Sequence, residues 1–381
     1  MDLGDLKARG GQGESSDDST ARSERFVRSD GVKPCKAHHL DDMSSEMRQQ
    51  GSARNFVIFF DQKEGTTPIV LVLNNFSPVS VLHQATGGGW EPFDRHNCGP
   101  MDLDALIECL DLVFSGAPAS EVNRVYRLTA AAPLAEYKTA GSVGFKMRYR
   151  PWAGPLVPPR LETSRPRPKA HQLARFSREM TSVLSRHDVL VFLAVRQDLL
   201  RWALSRYHGD GTGRPGHIQF RLAQREVTSE EIPRIRVNLD VLSREIDRCE
   251  AIFAEKLELA RRLKDAGVDV IPLRYEDFLI DELGFFRDVL AHLGHELPDE
   301  VVQFVVAHGS GFERVHGNDL SEFFLNAAEL EERFGGRFHE WPGPDQLDAR
   351  PVQGKDADPQ ADPAHGAAGG GGPLASRRRS T

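Results

Sequence analysis

The chain has 381 residues, 39% of them hydrophobic, and a formal charge of −8. That apolar share can fill a substantial core, whereas the negative balance argues against a general nucleic-acid binder, whose affinity comes mostly from neutralising phosphates. No run of about 18 apolar residues occurs and the first residues lack an apolar signal core, so the expectation is a cytoplasmic protein with no stable membrane insertion.

Cys35, Cys98, Cys109 and Cys249 have neither metal nor disulfide spacing, which fits a reducing compartment. Residues 1–53 are rich in Gly, Ser, Asp, Arg and Gln. Residues 342–381 hold Pro, Gly, Asp and Ala, the run Gly369 to Gly372 and a closing Arg377-Arg378-Arg379. Such composition does not offset the entropy of ordering, so both ends are expected to be disordered tails around one α/β domain over 54–341.

The domain opens with Phe56 to Phe60, five apolar residues in a row, the mark of a strand buried on both faces. Asp61-Gln62-Lys63-Glu64-Gly65 follows as a polar loop. Thr66 or Thr67 then caps a helix whose first turn tolerates Pro68. Val79 to Gln84 reads as a second strand, followed by a glycine-rich loop, Gly87-Gly88-Gly89-Trp90-Glu91-Pro92-Phe93. A helix begins at Asp102, with Leu103, Leu106, Ile107, Leu110 and Val113 at helical spacing. Val143 to Tyr149 is a further strand, 151–168 a proline-rich loop, and His171 to Arg186 a helix leading into the apolar run Val189 to Val195.

Arg196 ends that strand, and Asp198 to Tyr207 reads as a helix before a glycine-rich loop over 208–217. A long helix spans Asn238 to Ala266, Asp269 to Tyr275 is a strand, and Glu276-Asp277-Phe278 opens another helix. Further helices are expected near 298–308 and 319–333. Strands alternating with helices predict a parallel sheet covered on both faces.

A strand, a tight loop and a helix N-terminus together form an anion site, because free N–H groups and the positive end of the helix dipole converge there. Lys63 adds a cation and the two threonines add hydroxyls. The order differs from G-x-x-x-x-G-K-[ST], since Lys63 precedes the only glycine. Arg196 with Ser205 forms a second candidate anion site: a guanidinium at the carboxyl end of a buried strand, with a hydroxyl on the next helix. Pairing of Arg196 with Asp198 is the simpler alternative.

Lys63-Glu64-Gly65-Thr66-Thr67 resembles the 5′-phosphosulfate loop of sulfotransferases that use 3′-phosphoadenosine 5′-phosphosulfate (PAPS), with Glu64 in place of the family's serine. The stretch from Val191 to Tyr207 resembles the family's 3′-phosphate site, in the longer spacing of the bacterial trehalose type. Leu273-Arg274-Tyr275-Glu276-Asp277-Phe278 is similar to its L-R-Y-E-D-L segment, whose aromatic residue lies near adenine.

The resemblance implies a three-layer α/β sandwich with a central parallel sheet, the P-loop NTPase-like sulfotransferase fold. It also implies PAPS as donor and a hydroxyl or amine acceptor on a carbohydrate or other small molecule. Lys63, Glu64, Gly65, Thr66, Thr67, Arg196, Ser205 and Tyr275 would hold the donor, without a metal. Glu91 is the first candidate for the base and His83 the second, while Lys146 matches a strand lysine that assists charge neutralisation. Arg314, His316 and Asn318 are candidates to close over the nucleotide. The alternatives are a kinase of related fold and a catalytically impaired homologue. The second is motivated by Glu64, because a carboxylate beside a sulfonate repels it unless turned away or paired with a cation.

Overall fold

The computed structural model describes residues 53–61, 64–76, 78–85, 90–93, 103–127, 133–135, 141–149, 170–211, 234–308 and 319–343. Its centre is β1 (Phe56–Phe60), whose side chains are all buried. Fully burying a residue of this size contributes roughly 1.5–3 kcal/mol, so an unbroken apolar run seeks the middle of a sheet. The other strands are β2 (Val79–Val81), β3 (Ser142–Arg148), β4 (Leu190–Val195) and β5 (Val270–Arg274). All pairings are parallel, in the order β2-β3-β1-β4-β5.

The period-2 alternation of strand side chains divides the core into two layers. Val57 and Phe59 of β1, with Val191, Leu193 and Val195 of β4, face α2 (Leu103–Phe114), α3 (Ala119–Tyr126), α4 (Ala170–Arg186) and part of α6 (Leu239–Asp265). Phe56, Ile58, Leu190 and Phe192 face α1 (Thr66–Asn75), α8 (Glu282–His292) and α9 (Asp299–His308). A third cluster joins α5 (Leu199–Gly211) and α6 to a 3-10 turn (Leu320–Glu322) and α10 (Ala327–Phe334). Between β5 and α8 lies the short α7 (Tyr275–Ile280). The fold is therefore α/β, a five-stranded parallel sheet flanked by helices.

Several boundaries differ from the expectations. The N-cap of α1 is Gly65 in the left-handed region, φ 72°, which has no side chain to cap the helix; Thr66 and Thr67 are its first two residues. β2 ends at Val81, and Gln84 instead forms an isolated bridge with Leu134. α5 continues to Gly211, into the glycine-rich stretch read as a loop. The predicted 319–333 helix is split into the 3-10 turn and α10. α3 was not anticipated; it buries Val122, Val125 and Tyr126 at helical spacing.

Candidate functional site

From β1 the chain runs through α1 toward the β2–β3 side, whereas from β4 it runs toward β5. The connections diverge beyond the carboxyl ends of β1 and β4, which is where open α/β sheets bind ligands. Gly65 and the start of α1 lie beyond β1, and Arg196 lies beyond β4. The N–H groups of the first helical turn have no acceptor within the helix, so those of Thr66 and Thr67 carry the positive end of its dipole.

Arg196 and Ser205 meet as the sequence suggested. Arg196 is buried at 8% exposure, and its Nη1 donates to Ser205 Oγ at 3.1 Å. Ser205 in turn donates to the Arg201 carbonyl at 2.9 Å, which fixes its rotamer. Asp198 takes another partner: it pairs with Arg201 at 3.2 Å and accepts that residue's backbone N–H at 2.9 Å, capping α5. Glu276 Oε1 accepts the backbone N–H groups of both Gln197 and Asp198 at 3.0 Å, holding the elbow that follows Arg196.

Tyr275 joins the end of β4 to the start of α1. The Arg196 guanidinium lies 4.7 Å from the centre of its ring, within cation–π range. The same ring packs on Gly65 so closely that a Cβ there would overlap it. Glycine is required at this position both by that contact and by the positive φ.

Glu64 is turned into the protein, with 2% exposure. Both its carboxylate oxygens bond Lys256 Nζ, which is fully buried and also donates to the Ala194 carbonyl of β4 at 2.6 Å. Glu64 Oε2 further accepts the Asp61 N–H at 2.6 Å, closing the loop on itself. Burial pushes the Glu64 carboxyl above its ordinary range, opposed chiefly by the charge of Lys256. Asp61, the first residue of the loop, pairs with Arg206 at 3.1 Å, and Arg206 is also bonded to Glu245 of α6. Arg206 has a side chain only 1% exposed. Burial alone would lower its pKa, but Asp61 and Glu245 together hold it above the ordinary value.

Lys256 and Arg206 were absent from the sequence reading, although a signal exists for each. Lys256 stands on the α6 stripe of Cys249, Phe253, Ala260 and Leu263, and Arg206 follows Trp202 and Ala203 on the buried side of α5. A cation in a core register calls for a buried anion.

A second group forms beside α1. Lys146 Nζ of β3 donates to Thr67 Oγ1 at 3.0 Å and pairs with Glu91 at 3.1 Å. Its side chain is 3% exposed, against 28% for Glu91, so the lysine is enclosed while the carboxylate reaches outward. The short segment carrying Glu91 is anchored by Phe93, which packs edge-on against Phe145 and Tyr126, and by the Tyr126 hydroxyl donating to the Pro92 carbonyl at 2.5 Å. His83 lies against Trp90, with ring centres 4.8 Å apart, and its Nδ1 is 3.1 Å from the Val81 carbonyl. With a proton on Nδ1 bonding that carbonyl, Nε2 is the basic nitrogen.

Lys63 lies outside the described residues, as do the glycine-rich loop at 86–89, residues 150–169 and 212–233, and Arg314, His316 and Asn318. Among the described residues, no group of three or more His, Cys, Asp or Glu side chains is arranged to hold a metal ion, and no helix is long and apolar enough to cross a membrane. No protein-family model, curated protein or solved structure matches the chain.

Proposed function

We propose that the protein is a sulfotransferase that moves a sulfuryl group from PAPS to a hydroxyl or amine of a small-molecule or carbohydrate acceptor. The observation that carries this reading is the contact series from Ser205 through Arg196 and Tyr275 to Gly65. It brings the three segments that resemble the family's donor site onto one crevice, across the ends of β1, β4 and β5.

In this reading the N–H groups of Gly65, Thr66 and Thr67 hold the 5′-phosphosulfate, joined by Lys63. Arg196 and Ser205 take the 3′-phosphate, and Tyr275 lies beside the adenine. The donor supplies the sulfuryl group: its bond to the bridging phosphate oxygen breaks as one to the acceptor oxygen or nitrogen forms. Lys146, which donates to Thr67, has the role of neutralising charge that grows on the bridging oxygen, and fixed charges of this kind act without reorganising. Glu91 receives the acceptor proton, with His83 as the second candidate. The pairing of Glu64 with Lys256 inside the protein supports an active donor site over an impaired homologue.

Ligand-dependent unfolding tests the reading. 3′,5′-Adenosine bisphosphate at ~100 times its Kd adds about 2.7 kcal/mol of stability and should raise Tm, whereas ATP with magnesium should not. The opposite preference would favour a kinase. Arg196→Ala should weaken the bisphosphate roughly 10- to 150-fold, the range for one charged hydrogen bond, and leave 5′-AMP nearly unchanged. Equal weakening of both ligands refutes the 3′-phosphate role.

A further inference from the structure

The loop after β1 carries two carboxylates, and both are used inward. Glu64 is bonded to Lys256, which also holds the Ala194 carbonyl, two residues before Arg196. Asp61 is bonded to Arg206, the neighbour of Ser205. Each buried cation therefore ties the loop to the β4–α5 segment that bears the other anion site. A buried ion pair is seldom the most stable filling for a core, since apolar residues of similar volume often do as well. Its geometry, however, fixes one separation between the groups it joins.

We propose that Lys256 and Arg206 are positioning residues that set the distance between the two phosphate subsites, so that one bisphosphate ligand engages both at once. This inference rests on the two-phosphate reading of the crevice. Neither cation need touch the ligand; they act through Glu64, Asp61 and the strand end. When two subsites are held at the separation of a ligand's two groups, the second contact forms at high effective concentration, and misplacement removes that gain without weakening either contact alone.

The test compares 3′,5′-adenosine bisphosphate with 5′-AMP by calorimetric titration on the full chain. The wild type should prefer the bisphosphate by about 100-fold or more. The double variant Glu64→Gln/Lys256→Met leaves no unpaired buried charge and keeps an amide oxygen for the Asp61 N–H, but cuts the tie to Ala194. Its preference should fall to about tenfold or less, with 5′-AMP within about threefold of wild type. Asp61→Asn, a milder change at a partly exposed residue, should lose part of the preference in the same pattern and serves if the double variant does not fold. A variant that folds and keeps the full preference, or loses both ligands by one factor, overturns the positioning role alone. A wild type with no preference overturns the two-phosphate reading and this inference with it.

Discussion

Glu64 belongs to the loop between β1 and α1 that is proposed to hold the 5′-phosphosulfate. By chemistry alone a carboxylate in an anion loop is unfavourable, and serine would be the natural repair. The fold reverses that expectation, because Lys256 is fully buried and Glu64 is its counter-charge. Glu64→Ser should therefore destabilise the protein by about 3–5 kcal/mol, the usual result of breaking a buried pair from one side. Equilibrium urea unfolding measures this, and a loss below ~1 kcal/mol would mean that water or another group satisfies Lys256. The loop's own spacing was readable, as was the Arg196–Ser205 pair, whereas Lys146 and Glu91 were separate candidates that only the structure joins. The partners of Glu64 and Asp61 were not readable, since they lie 192 and 145 residues away along the chain. Nothing local specifies which cation of the long helices reaches them.

At the scale of elements, legibility followed burial. β1 and β4 are apolar on both faces and stand out as unbroken runs, whereas β2 is only three residues long and its end was misplaced. α3 has a weakly apolar sequence, ASEVNRVY, and only its Val122, Val125 and Tyr126 stripe marks it. α6 was legible at both ends, with Asn238 before it and Gly267 after it. Its Asn238 side chain accepts the backbone N–H groups of Asp240 at 3.0 Å and Val241 at 3.1 Å. Asn238→Ala should cost about 1 kcal/mol of stability through those orphaned donors, read from the urea midpoint. Because the cap lies at the far end of the helix from Lys256, the preference for bisphosphate over 5′-AMP should not change. A changed preference would mean that any loosening of α6 alters the crevice, not the tie from Lys256 in particular.

Across the whole molecule, the two ends of the sheet are built differently. The carboxyl end gathers Arg196, Lys146 and the buried Glu64–Lys256 pair, while the amino end is closed by structural contacts. There Arg54 pairs with Asp188 and Asp269, each at 2.8 Å, and His295 Nε2 is 2.9 Å from Ser142 Oγ at the start of β3. The Ser142 hydroxyl also lies 3.4 Å from the Leu293 carbonyl. His295 is 7% exposed, its ring lies edge-on to Phe76, and its Nδ1 is buried with no hydrogen-bond partner among the described residues. In the imidazolium form both ring nitrogens are N–H donors, and among the described residues Nδ1 has no acceptor; burial accordingly holds the His295 pKa below the ordinary histidine value. The unfolded chain then binds this proton more readily than the folded one. The stability contributed is complete above the unfolded pKa of about 6.5, falls as pH drops below it, and levels off beneath the lower folded value. The slope from this one group cannot exceed about 1.36 kcal/mol per pH unit. His295→Gln retains a hydrogen-bonding group for Ser142 and removes the titration, so its urea midpoint should vary less between pH 7 and 5 (roughly the window set by that reference value). Parallel pH profiles for wild type and variant would show that His295 is not the titrating group, whereas converging profiles at low pH assign the acid sensitivity to the amino end of the sheet.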